Sequence, residues 1–192
     1  MEDYSDITAV ILAGGFGTRL QSVVSDKPKV LAEVSGRPFL AYLLEQLSPA
    51  GIRKAVICTG YLAEQIQDCF GDAYDSLRII YSREDEPLGT GGALRLALPK
   101  LSSEIIVVMN GDSYINTDIS VYVNWFLEKN LQAALLLSWA EDTSRYGSVV
   151  INEDKIIASF EEKSENSGQG WINAGIYLLR KSLIASMPAG KY

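Results

Sequence analysis

The segment Ile11 to Leu31, ILAGGFGTRLQSVVSDKPKVL, carries the decisive pattern of this chain. An apolar run, Thr8 to Ala13, ends in Gly14, Gly15 and Gly17, followed by Thr18 and Arg19; Lys29 comes ten residues after Arg19. A continuous apolar run closed by glycine reads as a strand buried on both faces. Glycines after such a strand expose backbone N–H groups that no Cβ shields, and those groups bind phosphate oxygens. Two cations beyond the loop complete a site suited to a nucleoside triphosphate.

Two other phosphate motifs are excluded. A P-loop requires a Gly-Lys pair at a spacing absent after Gly14. A dinucleotide fingerprint requires a third glycine opening a helix; here Leu20 follows Arg19, and Ser22, Ser25, Asp26 and Pro28 predict a loop.

Working outward, strand and helix alternate. Helical spacing marks Phe39 to Leu47, with Pro49 to Gly51 ending it. Lys54 to Thr59 reads as a strand, Leu62 to Phe70 as a helix stopped by Gly71, and Leu77 to Tyr81 as a strand. A Gly-rich turn, Leu88 to Gly92, is predicted to lead into a helix bearing Leu94, Ala97 and Leu98. Ile105 to Met109 and Ala133 to Trp139 read as further strands, separated by a helix with Ile119, Tyr122, Val123, Phe126 and Leu127 on one face. Ser148 to Ile151 and Lys155 to Phe160 predict a β-hairpin. After a polar stretch, Lys163 to Gly170, comes a strand from Trp171 to Leu179 and the start of a helix at Lys181. The expected fold is α/β, a Rossmann-like three-layer sandwich with a mostly parallel mixed sheet and an antiparallel hairpin addition. We expect one domain over 1–192 with two halves, 1–118 and 119–192; the motifs set out below imply that the first binds nucleotide and the second sugar.

The bulk numbers bound the function. At 192 residues the chain suits one sizeable core. A net charge of −7 argues against nucleic acid as a partner. No apolar run is long enough for a membrane span, and the acidic start Met1 to Asp6 is no signal peptide. Cys58 and Cys69 are expected as buried thiols of a cytoplasmic protein. The absence of histidine removes imidazole acid–base chemistry and Ser-His-Asp triads. The sequence leaves a homo-oligomer open.

The pattern [LIV]-x-A-G-G-x-G-[ST]-R-[LM] followed by K-P-K-x-[LMV] resembles the sugar-1-phosphate nucleotidyltransferases. Further motifs follow in order: Glu86-Pro-Leu-Gly-Thr-Gly-Gly-Ala93, Asn110-Gly-Asp112, Tyr146-Gly147, Phe160-Glu-Glu-Lys163 and Asn173-Ala-Gly-Ile-Tyr177. The last three are most similar to those of D-glycero-α-D-manno-heptose 1-phosphate guanylyltransferases. The resemblance implies a reaction between a nucleoside triphosphate and a sugar 1-phosphate that gives a nucleotide sugar and pyrophosphate. It assigns Arg19 to the leaving pyrophosphate and Lys29 to the α-phosphate and sugar phosphate. Leu12, Ala13, Gly14, Gly15, Gly17, Thr18, Glu84, Gly89 and Thr90 become nucleotide contacts, and Asp112 the ligand of Mg2+. Asn110, Gly147, Glu162, Lys163 and Asn173 become sugar contacts.

Physical chemistry agrees with these roles. A phosphate monoester is already nucleophilic near neutral pH, so the protein must align two anions and neutralise charge rather than supply a base. A planar guanidinium holds phosphate bidentately. Mg2+ favours one or two carboxylates plus phosphate oxygens. Glu84 offers two acceptors to the N1–H and amine of guanine, which favours GTP, although uridylyl-transferring relatives carry a similar glutamate. The acceptor expected first is the heptose 1-phosphate, with mannose or another hexose 1-phosphate as the alternative.

Plainer readings stand beside these. Asp112 alone is compatible with a cap or turn, Asp118 reads as the N-cap of the helix from Ile119, and Tyr146 and Trp171 read as packing rather than sugar stacking. The family usually places a second metal-binding aspartate beyond the Asn173–Tyr177 motif, and no such motif precedes Tyr192. The expectation is a missing C-terminal part or an incomplete metal site, with nucleotide binding retained and turnover slow. A non-catalytic nucleotide-binding regulator on the same scaffold is the rival reading. A glycosyltransferase of the same sheet type is disfavoured, because Asn110-Gly-Asp112 supplies one carboxylate where a D-x-D motif supplies two.

Overall fold

The computed structural model describes residues 4–15, 27–162 and 168–188. The chain begins with β1 (Thr8–Leu12), a short 3-10 turn (Lys29–Leu31), β2 (Glu33–Val34), β3 (Arg37–Pro38) and α1 (Phe39–Glu45). Next come β4 (Lys54–Thr59), α2 (Ala63–Phe70), β5 (Ala73–Tyr74), β6 (Leu77–Arg83), α3 (Gly89–Ala97) and β7 (Ile105–Asn110). The remainder is α4 (Ile119–Glu128), β8 (Ala133–Ala140), β9 (Ser148–Ile151), β10 (Ile157–Glu161), β11 (Gly170–Arg180) and α5 (Lys181–Ser186).

Seven strands form one sheet in the order β5-β6-β4-β1-β7-β11-β8. β1 pairs in parallel with β4 on one side and β7 on the other, and β4 pairs in parallel with β6. This is the mostly parallel mixed sheet that the apolar runs predict. The chain steps from β1 outward through β4 and β6, then returns to the other side of β1 for β7. The order therefore reverses between β1 and β7, and ligands of open α/β sheets collect outside the carboxyl ends at such a reversal.

Two compact units are present: Met1–Ala134 with Tyr177–Tyr192, and Leu135–Ile176. In the first, residues of both parities along the central strands are buried. Val10, Val56, Cys58, Ile106 and Val108 pack with Leu94, Ala97, Leu101 and Ile184. The alternate residues Ala9, Ile11, Ala55 and Ile57 are also fully buried. Both sheet faces are thus covered, which is why these strands read as unbroken apolar runs.

Several local readings change. A two-residue hairpin joins β2 to β3 through Ser35 and Gly36, both at positive φ (51° and 77°). Such primed turns match the twist of paired strands, and two-residue strands leave no periodicity to read. β5 is equally short and pairs antiparallel with β6. The Gly-rich segment read as a turn is instead the first turn of α3, which starts at Gly89 with φ +72°. Leu127, placed on the buried face of its helix, is exposed, while Ile119, Tyr122, Val123 and Phe126 are buried. Cys69 is exposed too; only Cys58 is a buried thiol, and both are free. Its place on α2 corrects the sequence reading, since the buried stripe there is Ala63, Ile66 and Phe70. No helix among the described residues is long and apolar enough to cross a membrane.

In the second unit, β9 and β10 form the expected antiparallel hairpin, with an irregular register between Ile157 and Ser159. Trp139 and Trp171 meet edge to face, ring centroids 5.2 Å apart. Trp171 is thus occupied in a packing contact, a geometry that aromatic quadrupoles favour.

Candidate nucleotide and sugar-phosphate site

Leu12, at the end of β1, pairs with Cys58 of β4 and Asn110 of β7. Backbone bonds extend the sheet beyond these residues. Ala13 N–H donates to the Cys58 carbonyl (2.8 Å), Gly111 N–H to the Leu12 carbonyl (2.9 Å), and Glu84 N–H to the Thr59 carbonyl (2.8 Å). Leu12, Ala13, Gly14, Glu84, Asn110 and Asp112 are consequently carried on fixed strand ends. Sites built on such elements hold their geometry better than free loops do.

Lys29 reaches this edge because its neighbours are anchors. Pro28 precedes the 3-10 turn, and Val30 and Leu31 within it are buried. A Cβ on Gly111 would lie 2.5 Å from the Leu12 carbonyl oxygen and 2.9 Å from Val30 Cγ1. Only glycine lets β7 pass between β1 and Val30 at this point. The outcome is an ion pair between Lys29 Nζ and Asp112 Oδ2 at 2.7 Å, with both side chains partly exposed (37% and 48%). Partial burial raises the Asp112 pKa, but the hydrogen bond and charge of Lys29, with weaker help from the Ser113 hydroxyl and the Asp112 backbone, hold it below the usual value. The carboxylate is thus held charged, as a metal ligand must be, and is paired with Lys29 in the free protein.

Among the described residues no group of three or more Asp, Glu, Cys or His could hold a metal. The donor set is one carboxylate, Asp112, which fits an ion ligated mainly by phosphate oxygens and water and does not fit a protein-enclosed ion.

On the other side of β1, Glu84 follows β6. A hollow of about 340 Å³ is lined by Gly14, Gly60, Tyr61, Glu84 and Pro87, with neighbouring residues. Glu84 Oε2 accepts from Leu88 N–H at 3.1 Å, which ties the carboxylate to the approach to α3. Gly89 and Thr90, in the first turn of α3, are exposed. Gly60 is the lining residue that motif reading overlooks. Its signal was a glycine directly after a buried strand, the same grammar as Gly14.

Of the candidate sugar residues, Asn110 ends β7 in the first unit, whereas Gly147, Glu162 and Asn173 belong to the second. Thr143 receives both Tyr146 N–H and Gly147 N–H on its carbonyl (3.0 Å each), and Gly147 adopts φ +74°. Asn173 Oδ1 accepts from Gly175 N–H at 2.8 Å. Glu162 is exposed just after β10. Gly17, Thr18, Arg19 and Lys163 lie outside the described residues, so their assigned contacts remain expectations. Gly15 is described and exposed.

Against this geometry, a family model described as nucleotidyl transferase matches residues 8–189. The chain belongs to the nucleotidyl transferase family. Residues over 91% of this nucleotidyltransferase are 40% identical to the D-glycero-α-D-manno-heptose 1-phosphate guanylyltransferase of Campylobacter jejuni, covering 76% of that protein. The guanylyltransferase of the same name from Aneurinibacillus thermoaerophilus is 39% identical over 91% of the nucleotidyltransferase and 75% of that protein. Among solved structures, HddC from Yersinia pseudotuberculosis complexed with GMP-PN superposes with a TM-score of 0.86 at 36% identity. That match covers 96% of this chain and 81% of HddC. The fold and family expected from the sequence motifs are borne out.

Proposed function

We propose that this nucleotidyltransferase joins GTP to D-glycero-α-D-manno-heptose 1-phosphate, giving GDP-heptose and pyrophosphate. The observation that carries nucleotidyl transfer is the Lys29–Asp112 pair at the reversal of strand order, 2.7 Å apart and open to solvent. The choice of guanine is supported by the Glu84 carboxylate lining a hollow beside β1, and by the relatives' printed activity. The choice of heptose rests on those relatives.

In this reading a sugar-phosphate oxygen forms a bond to the α-phosphorus of GTP. The α–β bridging bond breaks, and its electron pair leaves with pyrophosphate. No proton transfer is needed, because the attacking oxygen is already anionic. Lys29 stabilises the α-phosphate and the incoming sugar phosphate as a compact cation. Arg19, which follows Gly14, Gly15 and Gly17 in the sequence, holds the departing pyrophosphate. Asp112 and the nucleotide phosphates together would hold Mg2+, which supplies charge neutralisation on the phosphate oxygens. In the free protein Lys29 and Asp112 neutralise each other; substrate gives Lys29 an anionic partner and releases Asp112 for a cation. Gly147, Glu162 and Asn173, with Lys163, supply the sugar contacts.

Initial rates of pyrophosphate release with GTP, UTP, CTP and dTTP, at saturating heptose 1-phosphate, test the nucleotide assignment. GTP is expected to lead in kcat/KM by about tenfold or more, the worth of one or two charge-assisted hydrogen bonds. A lead by any other nucleotide would overturn it.

A further inference from the structure

Three backbones converge beneath the Glu84 carboxylate. Cys58 pairs with both Leu12 and Ser82, and side chains alternate along a strand. Two residues further on, Gly14, Gly60 and Glu84 therefore share one face of the sheet edge. A methyl group on Gly60 would lie 2.9 Å from the Gly14 carbonyl oxygen, 3.2 Å from Glu84 Oε1 and 3.3 Å from Glu84 Cγ. The first contact is with backbone that cannot withdraw easily, because the preceding Ala13 N–H is bonded to Cys58. The second contact is with a side chain whose other oxygen is held by Leu88 N–H at 3.1 Å.

Gly60 is not among the glycines with positive φ. Its backbone conformation is open to any L-residue, so glycine is required here for space alone. That separates Gly60 from Gly89 and Gly147, whose left-handed φ would itself select glycine.

The geometry points to Gly60 as a specificity-determining residue that leaves the Glu84 carboxylate room to lie against the strand ends and accept from the guanine edge. This rests on the reading of Glu84 as the base-recognising group. Leu88 N–H pins one side of the carboxylate, and the bare Cα positions of Gly14 and Gly60 leave room on the other. Any side chain at position 60 moves the acceptor pair by tenths of an ångström, and hydrogen bonds to a rigid planar edge tolerate little of that.

The test compares GTP with ITP, which keeps N1–H and lacks the exocyclic amine. Wild type is expected to favour GTP in kcat/KM by about tenfold or more. Gly60→Ala is expected to bring that preference within about threefold, raising KM for GTP more than it changes kcat. Gly60→Ala with an undiminished GTP-to-ITP ratio would overturn the proposal. If Gly60→Ala does not accumulate folded, Glu84→Asp withdraws the carboxylate by one methylene without adding an atom. An unchanged ratio in that variant removes Glu84 from base recognition and overturns the proposal with it, whereas a collapsed ratio supports the carboxylate placement on which the proposal rests. A wild type that prefers another base contradicts the GTP assignment itself, a result distinct from either variant's outcome.

Discussion

At the scale of single residues, Lys29 and Asp112 form the charged pair at the strand ends. Their 2.7 Å contact joins positions that only the fold brings together. Replacing Asp112 by Asn keeps the shape and removes the charge. We expect kcat/KM to fall by about a hundredfold or more, in line with loss of an electrostatic group at a transferring phosphoryl centre. Activity within threefold of wild type would remove Asp112 from the site. A second prediction concerns the cysteines. Burial pushes the Cys58 thiol up to about 12, with the Glu84 charge adding and Lys100 opposing, whereas Cys69 is exposed. A chromogenic disulfide reagent should therefore titrate one thiol in the native protein and two after unfolding. Two thiols in the native protein would contradict the burial of Cys58. The positions of Asp112 and Glu84 at strand ends were legible in the sequence, because each stands at a fixed spacing from a motif. Gly60 carried only the signal of a glycine after a buried strand; its closeness to the side chain of Glu84, just past β6, was not legible.

At the scale of elements, the long buried strands could be read directly: β1, β4 and β7 are near-continuous apolar runs because both sheet faces are covered. Elements of two residues, β2, β3 and β5, escaped because no period fits in them. The start of α3 escaped for a different reason: glycines with low helix propensity form its first turn, and the φ of +72° at Gly89 favours glycine there. The N-cap of α4 was legible. Asp118 accepts from Ser120 N–H at 2.9 Å, and its pKa is lowered by the Ser120 hydroxyl first, then by backbone N–H groups. A depressed carboxylate contributes stability that is present above its unfolded pKa and lost as pH falls through its folded pKa. Asp118→Ala should thus lower the unfolding midpoint at pH 7, and the deficit should shrink below about pH 3.9. A deficit independent of pH would refute the charged cap. In β4, Thr59 is 1% exposed, and its hydroxyl has no partner among the described residues. Thr59→Val removes a buried unsatisfied oxygen while keeping the β-branch, and should raise unfolding free energy by about 1 kcal/mol. Destabilisation in denaturant titration would show that the hydroxyl is in use.

At the scale of the whole molecule, the sheet order explains why Leu12, Gly14, Gly60, Glu84 and Asp112, scattered along the sequence, lie at one edge. Strands β1, β4, β6 and β7 run parallel, so every loop that leaves a carboxyl end emerges on the same side. That convergence was implicit in the βαβ alternation, and the nucleotidyl transferase match over residues 8–189 agrees with it. The sugar assignment is less directly physical: Gly147 and Asn173 shape backbone turns in the second unit, and polar loop residues do not spell out a stereochemistry. The most direct measurement is the formation of nucleotide sugar, followed by mass spectrometry, from GTP and Mg2+ with D-glycero-α-D-manno-heptose 1-phosphate, mannose 1-phosphate or glucose 1-phosphate. The account predicts GDP-heptose as the fastest product, with mannose 1-phosphate the next-best acceptor. Turnover of glucose 1-phosphate with neither manno-configured substrate accepted would contradict it.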